Sequence, residues 1–76
     1  SEHENVEKAL QWLGKAADNG NALAQYAMGK LYLAGNHVEK DIQKAVELFT
    51  KSAEQGNQYA QYALGKLIFW GMMQAG

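Results

Sequence analysis

Residues 20–30 read GNALAQYAMGK and residues 56–66 read GNQYAQYALGK, so the chain writes nearly the same phrase twice, offset by 36 positions. The match extends to both sides. Lys8/Lys44, Ala9/Ala45, Lys15/Lys51 and Ala17/Ala53 precede the phrase, and Gly35/Gly71 follows it. Where letters differ the chemistry is often kept, as in Asn5/Asp41, Val6/Ile42, Leu13/Phe49, Asp18/Glu54 and Met28/Leu64. A period of this length belongs to helical arrays, whose units cannot bury an apolar face alone and must stack on a neighbour. The 76 residues allow one small domain at most. A chain of that size buries only about 60% of its unfolded surface, which leaves a thin stability margin.

Each copy of the repeat resolves into two helical patterns. In 41–55, Ile42, Ala45, Phe49, Ser52 and Ala53 recur at three- and four-residue steps, the spacing of one helix face. Asp41 is an N-cap and Gly56 a stop. The first copy repeats this with Asn5 as cap, Val6, Ala9, Leu13, Ala16 and Ala17 as the face, and Gly20 as stop. Glu4–Lys8 and Glu47–Lys51 have the spacing of stabilising i,i+4 pairs. The second pattern runs over 22–34 and 58–70, with the stripes Ala24/Met28/Leu31 and Ala60/Leu64/Leu67. Gly29 and Gly65 sit inside these helices, where Gly costs about 1 kcal/mol relative to Ala; at one phase in both copies, they point to a close helix–helix approach. Gly35 and Gly71 end the pattern, and Val38 is an apolar plug in the link 35–40. Four helices are therefore expected, at about 5–19, 22–34, 41–55 and 58–70, in an all-α fold of stacked helix pairs.

Several function classes find no support. The net charge is −1, with acidic and basic residues mixed along the chain and no basic stripe for nucleic acid. No apolar run is long enough to span a bilayer, and no signal-peptide pattern opens the chain, so a soluble domain or internal piece is expected. The absence of Cys removes thiol chemistry and leans towards a reducing, cytoplasmic setting. His3 and His37 lie on different segments without a carboxylate cluster, so no metal site is expected. Nor is there a catalytic triad pattern or phosphate loop. The expectation is a chain without catalytic residues or cofactors.

The run from "KAADNGNALAQYAMGK" through "KSAEQGNQYAQYALGKL" resembles the Sel-1-like repeat, a relative of the tetratricopeptide repeat, over about residues 5–71. The motif elements AA, G, A-Q-Y, MG or LG, LY, G, V, D and KA stand in order. Two departures are visible: His37 stands where a second Gly is usual, and the tail MMQAG at 72–76 lacks an acidic cap and a next helix. The resemblance implies a right-handed α-solenoid. It also gives a phase: a second-type helix at 5–19, one complete repeat at 22–55, a first-type helix at 58–70 and a tail at 71–76. The expectation is a slice of a longer, bacterial protein.

In such solenoids the first-type helices line a concave groove that commonly takes peptides or protein segments. The resemblance thus implies contacts at Leu23, Tyr26, Lys30, Leu33 and Ala34, then at Tyr59, Tyr62, Lys66, Phe69 and Trp70. The residues themselves agree in part, because this phase is distinct from the Ala24/Met28/Leu31 stripe and mixes aromatics with Lys, an interface-like composition. A peptide would be anchored by Tyr62, Phe69 and Trp70, with Lys30 and Lys66 pairing acidic groups. Against this, Tyr26 and Tyr62 read first as packing between successive helices, and Phe69 and Trp70 as core left uncovered. Asn21 and Asn57 read as caps, and Trp12 as packing or surface. The alternatives are a purely structural spacer and self-association through the apolar run IFWGMM at 68–73.

Overall fold

The start and stop signals translate directly into structure. A computed structural model of the chain describes residues 1–75. They form α1 (Glu2–Asp18), α2 (Ala22–Ala34), α3 (Ile42–Glu54) and α4 (Gln58–Ala75), with no strand among the described residues. The helices pack in sequence, α1 on α2, α2 on α3 and α3 on α4. The resulting strip measures 46 × 24 × 15 Å, the elongated shape of a short stretch of solenoid.

The two Gly-Asn turns are the same device used twice. Gly20 and Gly56 take φ of 93° and 94°, a left-handed conformation open to residues without a Cβ. Gly20 N–H donates to Ala17 O and Asn21 N–H to Ala16 O; Gly56 N–H donates to Ala53 O and Asn57 N–H to Ser52 O. This pairing satisfies the last carbonyls of α1 and α3. Asn21 and Asn57 then cap the next helices, accepting from Ala24 N–H at 2.9 Å and Ala60 N–H at 2.8 Å. Asp41 caps α3 through Lys44 N–H at 3.0 Å.

Three local expectations are overturned. Asn5 does not cap α1, which starts at Glu2 with Ser1 Oγ accepting from Glu4 N–H. The fit with Asp41 fails because residues 2–5 need not turn, whereas Asp41 follows a reversing link. Gly71 does not end α4, which runs to Ala75. Gly35 ends α2 by taking φ 70°, with Asn36 and His37 continuing the turn and His37 itself at φ 63°. Gly71 is followed by Met72, Met73, Gln74 and Ala75, all good helix formers. The last tail residue, Gly76, lies outside the described residues. The Glu4–Lys8 and Glu47–Lys51 pairs are also not formed: among the described residues the N-terminal amine of Ser1 lies 3.6 Å from Glu4 and His3 Nε2 lies 3.1 Å from Glu7. Such exposed pairs contribute little in either arrangement.

The core is centred on α3. Ala45, Phe49 and Ser52 are fully buried, as is Ala60 of α4. Phe49 lies against Gly29 of α2 so closely that a Cβ there would come within 2.7 Å of the ring. The close approach inferred for that glycine is real. At Gly65 the same Cβ would meet nothing within 4 Å, because no helix lies on that side of α4 among the described residues. Polar groups tie the same interface. Ser52 Oγ donates to Ala22 O at 2.6 Å. The buried Gln25 donates from Nε2 to Ala17 O at 3.2 Å and accepts at Oε1 from Gln55 Nε2 at 2.8 Å. One side chain thus ties the end of α1 and the end of α3 to α2, and no buried side-chain polar atom among the described residues is left unpaired. No described helix is long and apolar enough to cross a membrane.

Candidate functional site

Helix α4 carries three distinct faces. Ala60, Leu64 and Leu67 turn to α3, with Ala60 fully buried in the cluster around Phe49. Tyr59, Tyr62, Lys66, Phe69 and Met73 follow one another at steps of three and four, which places them on a second face. Gln61, Gly65, Ile68 and Met72 share the third. On α2 the first face meets α1 and the third is covered by α3, so the second face is the one that both helices leave open.

That second face is the candidate site. Leu23 of α2 is 66% exposed, and Tyr59, Tyr62, Phe69 and Trp70 of α4 are 66%, 71%, 65% and 60% exposed. Lys30 and Lys66 are exposed beside them. Each lysine lies over the tyrosine one turn earlier, Lys30 Nζ at 5.0 Å from the Tyr26 ring and Lys66 Nζ at 5.1 Å from the Tyr62 ring. The contact is attractive because the ring face is electron-rich. It also holds each ammonium group along the strip instead of letting it sweep through solvent.

The named candidates divide into floor and surface. Tyr26 is half-buried, its ring centroid 5.9 Å from that of Phe49 and 5.8 Å from that of Tyr59. Leu33 is half-buried against the Phe49 cluster. These two form a packed floor, and Tyr59 lies against Tyr26 to carry the surface across from α2 to α4. Leu23, Lys30, Tyr59, Tyr62, Lys66, Phe69 and Trp70 present themselves to solvent. Met73, 64% exposed, extends the face by one turn. Sequence reasoning missed it by ending the helix at Gly71, although the good helix formers after that glycine carried the signal.

An apolar cleft of about 490 Å³ adjoins this face, walled by Leu33, Ile42, Val46, Leu67 and Trp70 among others. Trp70 borders both cleft and strip. Elsewhere the chemistry is sparse. The buried polar side chains Gln25 and Ser52 are both held in helix-packing hydrogen bonds. No group of three or more His, Cys, Asp or Glu converges among the described residues. Trp12 is 71% exposed, with Lys15 Nζ 5.7 Å from its ring.

The family model described as Sel1 repeat matches residues 3–21, 22–57 and 58–74. Both breaks between the matched segments fall at the Gly-Asn turns. No curated protein and no solved structure matches the chain.

Proposed function

The chain belongs to the Sel1 repeat family, and from that premise we propose that it is an interaction module that holds a peptide or protein segment along the open α2–α4 face. Sel1 repeats are generally non-enzymatic protein–protein interaction modules. The observation that carries the reading here is the recurrence of Tyr with Lys one turn later on α2 and α4, within a face of exposed aromatics. An apolar or aromatic side chain of the peptide enters the cleft beside Trp70, and acidic groups meet Lys30 and Lys66. Aromatic anchors supply contact area and the lysines set charge preference, a division common to peptide grooves.

The test is selection from a random peptide library against the chain, followed by binding to the Tyr62→Ala/Lys66→Glu double variant. Both side chains are exposed, so helical circular dichroism stays unchanged. Affinity for selected peptides falls by about ten-fold or more, the usual cost of losing an aromatic anchor and its neighbour. Enriched peptides carry apolar and acidic residues. Unchanged binding sinks the assignment of this face, and a library that yields no binder favours a purely structural spacer.

A further inference from the structure

We propose that the two ends of the strip are complementary, so that α1 of one copy docks on α4 of the next and completes between copies the helix pair that α2 and α3 form within one. The inference concerns the third face of α4, which shares Ile68 with the cleft beside Trp70 and does not rest on the peptide reading.

The α2–α3 interface is the template. Gly29 admits Phe49, Gln25 takes Gln55, Ala22 O takes Ser52, and Lys44 lies over Tyr32 at 5.5 Å. Ala22 and Gln25, early in α2, meet Ser52 and Gln55 at the end of α3, and Tyr32, late in α2, meets Lys44 early in α3, so the helices run antiparallel. The 36-residue offset maps α2 onto α4 and α3 onto α1. On α4 the counterparts of Gln25, Gly29 and Tyr32 are Gln61, Gly65 and Ile68. Gln25 and Gly29 are buried and Tyr32 half-buried, whereas their three counterparts are exposed. On α1 the counterparts of Ala45, Leu48, Phe49 and Ser52 are Ala9, Trp12, Leu13 and Ala16. Ala45, Phe49 and Ser52 are fully buried, yet Ala9 is exposed, Leu13 and Ala16 are half-buried, and Trp12 stands 71% exposed. The described residues therefore carry both halves of a single helix-pair interface, one on α4 and one on α1, neither covered among the described residues.

Two further features bear on the pairing. Ala9, Trp12, Leu13 and Ala16 on α1 and Gln61, Gly65 and Ile68 on α4 are uncharged, and Lys8, the counterpart of Lys44, is exposed, so its ammonium group stays in solvent at the margin of the pair. Gln61 donates to Ala53 O at 3.2 Å as Gln25 does to Ala17 O. Among the described residues, however, its Oε1 lacks the second bond that Gln25 receives, and Asn19, the counterpart of Gln55, brings an amide to that point.

The two faces differ, so the contact is heterologous and leaves a free face at each end of every assembly. Mass then grows with concentration instead of stopping at a dimer. The test uses Ala9→Arg and Gly65→Arg. Ala9 is exposed and a Cβ at Gly65 meets open space, so both variants keep the wild-type helical content. In sedimentation velocity the wild-type weight-average mass rises above 8.4 kDa with concentration, while each variant alone stays at the monomer mass. An equimolar mixture forms a heterodimer and nothing larger, because Ala9→Arg leaves α4 free and Gly65→Arg leaves α1 free. A wild type that stays monomeric at millimolar concentration overturns the proposal and assigns these faces to a different helix. Variants that associate as the wild type does, or a mixture that stays monomeric where the wild type assembles, overturn it equally.

Discussion

Replacing Phe49 by Ala is expected to lower the melting temperature by roughly 15–30 °C, a loss of about 3–5 kcal/mol for a buried aromatic. The whole chain has only roughly 4–11 kcal/mol to lose at its size. Phe49 is fully buried, it fills the space left by Gly29, and the Tyr26 ring rests against it. Its cluster draws on α2, α3 and α4 together, so the cavity cannot close by movement of one helix. Thermal unfolding followed by circular dichroism reads the effect. A loss under about 5 °C would show that the helices are held chiefly by their caps and turns, whose individual contributions are near 1 kcal/mol.

The second large effect is a reversal of sign between two equivalent glycines. Gly29→Ala places a methyl 2.7 Å from a buried ring that has no room to withdraw. Overpacking costs about 1–3 kcal/mol, of which helix propensity returns about 1. A net loss of up to about 2 kcal/mol is expected. Gly65→Ala meets nothing within 4 Å and gains only the propensity, about 1 kcal/mol. Urea unfolding in dilute solution, where the monomer dominates, measures both. Two changes of the same sign would show that the 36-residue equivalence does not extend to packing.

That pair also shows how much was legible in the sequence. The repeat placed the four helices and both turns, because Gly and Asn are demanded there by backbone geometry that nothing else in the fold can supply. It identified Gly29 as a close approach. It could not distinguish Gly65, since a local phrase records what a helix can pack against and not whether a neighbour is present. The ends of α1 and α4 were missed for the same reason: Asn5 and Gly71 copy residues whose role in the complete repeat comes from the link between them. On the open α2–α4 face the helical phase of the exposed residues was readable, but the split between floor and surface was not. Tyr26 and Tyr62 are the same letter at the same phase, and only the presence of Phe49 and Tyr59 beside Tyr26 makes it packing.

Recognition along the open α2–α4 face is most directly tested by amide and side-chain NMR shifts on titrating a selected peptide into the labelled chain. Perturbations are expected at Leu23, Lys30, Tyr59, Tyr62, Lys66, Phe69, Trp70 and Met73, and on the cleft walls Leu33, Ile42, Val46, Leu67 and Ile68. Gln61 and Gly65 on the third face of α4, and Ala9 on α1, stay unperturbed. Perturbations centred on those three residues, with Tyr62 and Lys66 unmoved, would contradict recognition at this face.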